Sequence, residues 1–196
     1  TTFGGQCPTD FCIFINDAPL IWADKIKYLG CNFICRTCTV DPKPAIGKFY
    51  ASLNNILSVL GHNRNEIMAI YLVKSYCLPA LLYSCETWSL NSTDLQSVNV
   101  AWNNCFRKIF NCCWRASVKP LQFYCSELPV SFLIDQRRLL FYKRLLRSDN
   151  EIICRLFNII GNDIRSVSSK YGVSLYHNSA DVIRSRIKRA FTLSNM

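Results

Sequence analysis

The sequence predicts a mainly α-helical protein with a short N-terminal antiparallel β-hairpin ahead of a helical bundle. Three observations predict this. Short β-prone apolar runs are confined to about the first 40 residues. From Ile46 onward apolar residues recur at three- and four-residue spacing. Gly, Pro and Asn/Ser/Thr/Asp clusters cut the rest of the chain into helix-sized pieces.

Residues 3–9 contain Gly and Pro and are expected to be irregular. Phe11 to Ile15 is an apolar run, Asn16-Asp17 is a turn signal, and Pro19 to Trp22 resumes an extended segment. Tyr28 to Ile34 is a further apolar run, interrupted by Gly30. Two or three short antiparallel strands are expected, with Gly30 marking a bulge or a close backbone approach. Asp41-Pro42-Lys43-Pro44 closes this region. Ile46, Phe49, Tyr50, Leu53, Ile56, Leu57 and Leu60 then define a first helix that stops at Gly61. A second helix is expected from Asn63, with Glu66 as a capping-box-like partner, and Pro79 should kink or split it near Leu78.

Asn91-Ser92-Thr93-Asp94 marks the next break, and Thr93 with Gln96 reads as a capping box. The helix that follows buries Leu95, Val98, Trp102, Cys105, Phe106, Ile109 and Phe110 and is expected to turn Arg107 and Lys108 to water. Pro120 permits a short helix to about Glu127, and a long one runs from about Ser131 to Arg147. Asn150 to Ile160 reads as helical and ending at Gly161, Asp163 to Tyr171 as another short helix, and Ser179 as the cap of a last one. The expected divisions are residues 1–40, 41–147 and 148–196, the last a basic helical extension.

The 196 residues suit one domain or a small domain with an appendage, and 50% are hydrophobic, enough for a sizeable core. The first residue is Thr, which hints at a fragment or a processed product. There is no stretch of 18 uninterrupted apolar residues and no basic segment leading into an apolar run at the N-terminus, so neither a membrane span nor a secretory signal is expected. The net charge of +10 is uneven: residues 1–60 hold five basic and four acidic side chains, 61–135 hold six and five, and 136–196 hold twelve and four. The last third is the electropositive end and favours a polyanion, with nucleic acid ahead of an anionic membrane surface. Twelve cysteines are present, most at apolar helical positions where the thiol serves as a small hydrophobe. A reduced, intracellular protein, nuclear or cytoplasmic, is the expectation.

Local motifs for catalysis are missing. Cys35-x-x-Cys38 has a zinc-ligand spacing and Cys31 lies nearby, but structural zinc takes four ligands, and His62 and His177 are distant in sequence. Cys112 and Cys113 point to different faces of a helix. No nucleophile elbow, P-loop or dinucleotide fingerprint is present, and no two of the thirteen acidic residues are adjacent. Phe106-Arg107-Lys108 and Phe141-Tyr142-Lys143-Arg144 interleave aromatic with basic side chains, which suits phosphate neutralisation and base stacking. Aromatic residues at helical spacing also build cores, so the Lys and Arg side chains are the stronger ligand candidates.

Lys27-Tyr28-Leu29-Gly30, following an apolar hairpin, resembles the end of the palm in reverse transcriptases of non-LTR (LINE-type) retrotransposons. The order of later segments is similar to their thumb and adjoining region: Lys48-Phe49-Tyr50-Ala51-Ser52, Leu72-Val73-Lys74-Ser75-Tyr76-Cys77-Leu78-Pro79, Leu82-Tyr83-Ser84-Cys85-Glu86-Thr87-Trp88, Trp102-Asn103-Asn104-Cys105-Phe106-Arg107-Lys108-Ile109-Phe110 and Ile134-Asp135-Gln136-Arg137-Arg138. The resemblance implies that residues 1–40 are the end of a palm with a primer grip at Tyr28, Leu29 and Gly30, and that 41–147 are a thumb along the template–primer duplex. It adds Lys74, Arg107, Lys108, Arg137, Arg138, Lys143 and Arg144 as nucleic-acid-binding candidates. The family's catalytic aspartates lie upstream of the primer grip, so the resemblance implies a duplex-binding piece of an RNA-directed DNA polymerase, inactive as this chain. The Mg2+ ions would belong to those palm residues, so no cofactor or metal ligand is expected here. Expected partners are an RNA/DNA template–primer duplex and the palm and fingers of the parent polyprotein, with no membrane. A helical protein–protein adaptor and a cysteine-rich metal-binding module are the alternatives.

Overall fold

The computed structural model describes residues 14–19, 23–35, 37, 39–61, 65–88 and 90–194, with backbone alone at 154 and 156–163. The fold is mainly helical, with a small N-terminal antiparallel β region. Strands β1 (Phe14–Ile15) and β2 (Ala18–Pro19) form a hairpin whose turn residues Asn16 and Asp17 both have positive φ, as the sequence signal required. The residues expected to extend these strands, 11–13 and 20–22, lie outside the described residues, as do the irregular 3–9 and the expected helix start at Asn63.

Strands β3 (Lys25–Tyr28), β4 (Cys31–Ile34) and β5 (Thr39–Val40) form a three-stranded antiparallel sheet, with Tyr28 opposite Cys31 and Phe33 opposite Val40. Gly30 is therefore not a bulge inside a strand. Leu29 (φ 46°) and Gly30 (φ 82°) are the two central residues of the β3–β4 hairpin turn. Two successive positive φ values match the right-handed twist of the flanking strands, which is why glycine is favoured here.

Helix α1 (Lys43–Leu60) enters on Pro44 and ends on Gly61 in a positive-φ conformation. Helix α2 (Glu66–Tyr76) is capped by Asn65, whose Oδ1 accepts from the Met68 amide at 3.0 Å. Pro79 splits the segment as expected: α2 gives way at Cys77 to the single turn α3 (Leu78–Leu81), with a bend of 43°. Ser84 then takes a left-handed conformation and Cys85–Thr87 form one 3-10 turn.

Helix α4 (Ser92–Ile109) starts two residues ahead of the expected box, because Asn91 rather than Thr93 is its cap, accepting from the Asp94 amide at 2.7 Å. Helix α5 (Lys119–Tyr124) is short, and α6 (Val130–Leu145) is long. Helix α7 (Glu151–Lys170) runs straight through Gly161 and replaces the two short helices expected there. A mid-helix glycine costs only about 1 kcal/mol, which the packing of α7 on α6 offsets. Helix α8 (Ala180–Leu193) is capped by Ser179, as expected.

Two hydrophobic cores result. The first joins the sheet, α1 to α4 and the start of α6, centred on Phe49, Leu53, Trp102 and Phe106, all fully buried. Trp102 meets Phe106 edge-on at 5.1 Å and Phe49 at 6.4 Å, and its indole N–H donates to the Leu128 carbonyl at 3.0 Å. The second holds Leu139, Tyr142, Ile164, Tyr171, Ile183 and Ile187 from α6, α7 and α8. The two meet within α6, between Ile134 and Leu139, ahead of residue 147.

Candidate nucleic-acid interface

The hairpin tip is at the surface. Tyr28 and Leu29 are 62% and 73% exposed, while Cys31, opposite Tyr28, is buried. The turn is held from below: Tyr83, just after α3, donates its hydroxyl to the Leu29 carbonyl at 3.2 Å. A Cβ built on Gly30 would sit 3.2 Å from the Tyr83 ring, so the ring packs directly under the glycine. Leu29 in the left-handed region carries roughly 1–2 kcal/mol of strain, and backbone strain of this kind concentrates at ligand-contacting turns.

Beside the turn lies a cleft of about 310 Å³, lined by Gly30, Asn32, Asp41, Lys48, Tyr83 and Trp88 among others. The Trp88 indole nitrogen is buried and has no hydrogen-bond partner among the described residues. Asp41 would bring negative charge, but Lys25 donates to it at 2.8 Å. Burial raises the Asp41 pKa; the Lys25 ion pair and the Lys43 amide more than offset that and hold the carboxyl below its usual range. Lys27, opposite Asn32 in the strand register, and Lys48 are exposed. Both lysines belong to the motifs that carry the resemblance, but neither is among the ligand candidates read from the sequence. The alternation Lys25-Ile26-Lys27-Tyr28, which puts two lysines on one side of a strand, was the available signal.

The other candidates divide sharply. Four are engaged inside the fold. Arg107, expected to face water, is half-buried and donates through Nε and Nη2 to the Ala116 carbonyl and through Nη1 to Asn104. Arg137 donates to the Leu82 carbonyl at 3.1 Å, and Arg138 to the Trp88 carbonyl at 3.4 Å. Lys143 is 8% exposed and donates to the Leu175 carbonyl at 3.0 Å. Lys74 is half-exposed but paired with Glu127 at 2.6 Å. Lys108 is exposed, 5.5 Å from the Tyr50 ring centroid and bonded to Asn54. Arg144 is exposed on α6.

Among the described residues no three His, Cys, Asp or Glu side chains come together as a metal site. Cys31 and Cys35 are buried free thiols, while Cys38 and His62 lie outside the described residues. Cys77, Cys85 and Cys105 are fully buried in the first core, and burial pushes the Cys85 thiol up to about 12. These three pack as small apolar groups, since the thiolate is the reactive form. Among the described residues no single helix is long and apolar enough to cross a membrane; the bent segment at Pro79 passes that test only as a pair, and its Val73, Leu81 and Leu82 are wholly buried in the core. Comparison of the chain with family models, with curated proteins and with solved structures gave no match.

Proposed function

We propose that the chain is a nucleic-acid-binding module, a thumb-like piece of a non-LTR retrotransposon RNA-directed DNA polymerase, whose β3–β4 turn contacts the primer strand of an RNA/DNA duplex. The observation that carries the reading is the turn itself. An exposed, positive-φ tip is locked by Tyr83 beside a cleft lined by Lys48, with Lys27 exposed on the adjoining strand opposite Asn32. The Tyr83 ring fills the space that a Gly30 side chain would take, and the exposed face of the turn is the surface offered to a sugar–phosphate backbone. The surface lysines supply the charge, and the site works inside cells as part of a larger polymerase. The residues present offer positioning and no group for phosphoryl transfer.

The test is an anisotropy titration of a labelled RNA–DNA hybrid against the chain over a salt series. With three to four phosphates neutralised, affinity falls about 40- to 150-fold between about 50 and 200 mM salt. An affinity that stays flat over that range overturns the reading. Lys48→Ala lowers the salt slope by about one unit without altering the fold.

A second reading, a helical protein–protein adaptor, draws on α2, where Ile67, Met68 and Tyr71 are all about half-exposed or more on neighbouring positions of one side. Met68→Glu separates the two: it leaves hybrid binding unchanged if the hairpin face is the site.

A further inference from the structure

We propose that the α6–α8 junction is a built oxyanion site that takes a doubly charged phosphate group, either a phosphate monoester or a pyrophosphate. Leu140, Lys143, Arg144 and Arg147 follow i, i+3, i+4, i+7 spacing and so share one face of α6 and its C-terminal turn. Ala180 and Arg184, one turn apart on α8, face them across a cleft of about 320 Å³. Four cationic side chains line this space. Asp181 pairs with Arg184 at 2.8 Å, so four cations less one carboxylate leaves three.

The decisive group is Lys143. Lys143 as a residue is 8% exposed, yet among the described residues its ammonium's one hydrogen bond goes to a neutral carbonyl, that of Leu175, and no carboxylate pairs with it. A buried charge is tolerated when it is paired, and this one lines a cleft shared with three further cations and no counter-charge of its own. Arg144 and Arg147 are exposed and make no ion pair among the described residues, so both are available to close on a ligand. The first turn of α8 adds to the site. Ser179 takes the Val182 amide, while the amides of Ala180 and Asp181 have no intrahelical acceptor by position. Three net positive charges in one cleft favour a dianion over the single charge of a phosphodiester. The site is built from the second core and stands whether or not the hairpin reading does.

The experiment uses the full chain in thermal-shift and calorimetric titrations with inorganic pyrophosphate, against sodium chloride at matched ionic strength. A saturable rise in Tm with pyrophosphate alone is the expected result. Arg144→Ala/Arg147→Ala, which changes only exposed side chains, weakens that binding at least tenfold. Lys143→Met abolishes the response while keeping the helical circular-dichroism signal. Two oligonucleotides of one sequence, one with a 5′-phosphate and one with a 5′-hydroxyl, identify the source. Tighter binding of the phosphorylated strand, lost in the double variant, assigns a nucleic-acid end. Equal binding of the two with pyrophosphate still saturating assigns a small phosphate compound. The site is overturned if chloride matches the pyrophosphate shift, or if Arg144→Ala/Arg147→Ala binds as the parent does.

Discussion

The two cores use the same residue types to different ends. The first is large and aromatic, and it spends its cations on itself: Arg107, Arg137 and Arg138 all donate to backbone carbonyls of the loops around it. The second is smaller, with Arg144, Arg147 and Arg184 around a cleft and only Lys143 turned inward. Charge counted along a sequence therefore overstates the free cationic surface of the first region and locates that of the second. A guanidinium on a half-buried helix finds a carbonyl to cap when loops pass within reach, and reaches solvent when none does.

The sharpest way to break this contrast is to hollow out each core. Trp102→Ala removes the centre of the aromatic chain and the bond to Leu128, and is expected to cost about 3–5 kcal/mol. Ile187→Ala in the second core is expected to cost about 2–4 kcal/mol. Guanidinium melts read by circular dichroism check both. Because α6 serves the two cores, each variant should still unfold in one transition, and a biphasic melt for either would show the regions to be independent. A smaller effect comes from the start of α7: Asn150 accepts from the amides of Ile152 and Ile153, and Asn150→Ala is expected to lower stability by about 1 kcal/mol, visible in the same melts.

The smallest effect is in acid. The Asp41 carboxyl is held below its unfolded value, so its contribution is complete above that value and is lost as pH falls through the folded one. Asp41→Asn is therefore expected to remove part of the stability difference between neutral and acid pH, with little left to separate the proteins below both pKa values. A pH series of thermal melts on the two proteins reads it directly.

Most of the helical frame was legible because its causes are local. The three- and four-residue spacing of Phe49, Leu53, Val98, Trp102 and Ile109 marks buried faces, Pro79 removes a backbone donor, and Ser179 offers a cap. The misreadings came where tertiary packing decided. Gly161 looks like a stop only until α6 is there to hold α7 together, and Asn91 and Thr93 are equally good caps until the helix register is known. At the candidate site, Gly30 marked an irregularity in the strand run, but that Leu29 and Gly30 form the exposed turn between β3 and β4 follows only from the pairing of Tyr28 with Cys31. The fates of Arg107, Arg137, Arg138 and Lys143 were not, because their acceptors are the carbonyls of Ala116, Leu82, Trp88 and Leu175, up to 55 residues away in sequence.

Helix α6 has a consequence for how such a chain can change over generations. Its 16 residues make a rod about 24 Å long with one end in each core. A recombination that traded α7 and α8 for other elements would leave Leu139 and Tyr142, at the far end of that rod, without the side chains they pack on. The two ends thus share a constraint: a replacement for either must fit the half of the rod it packs on.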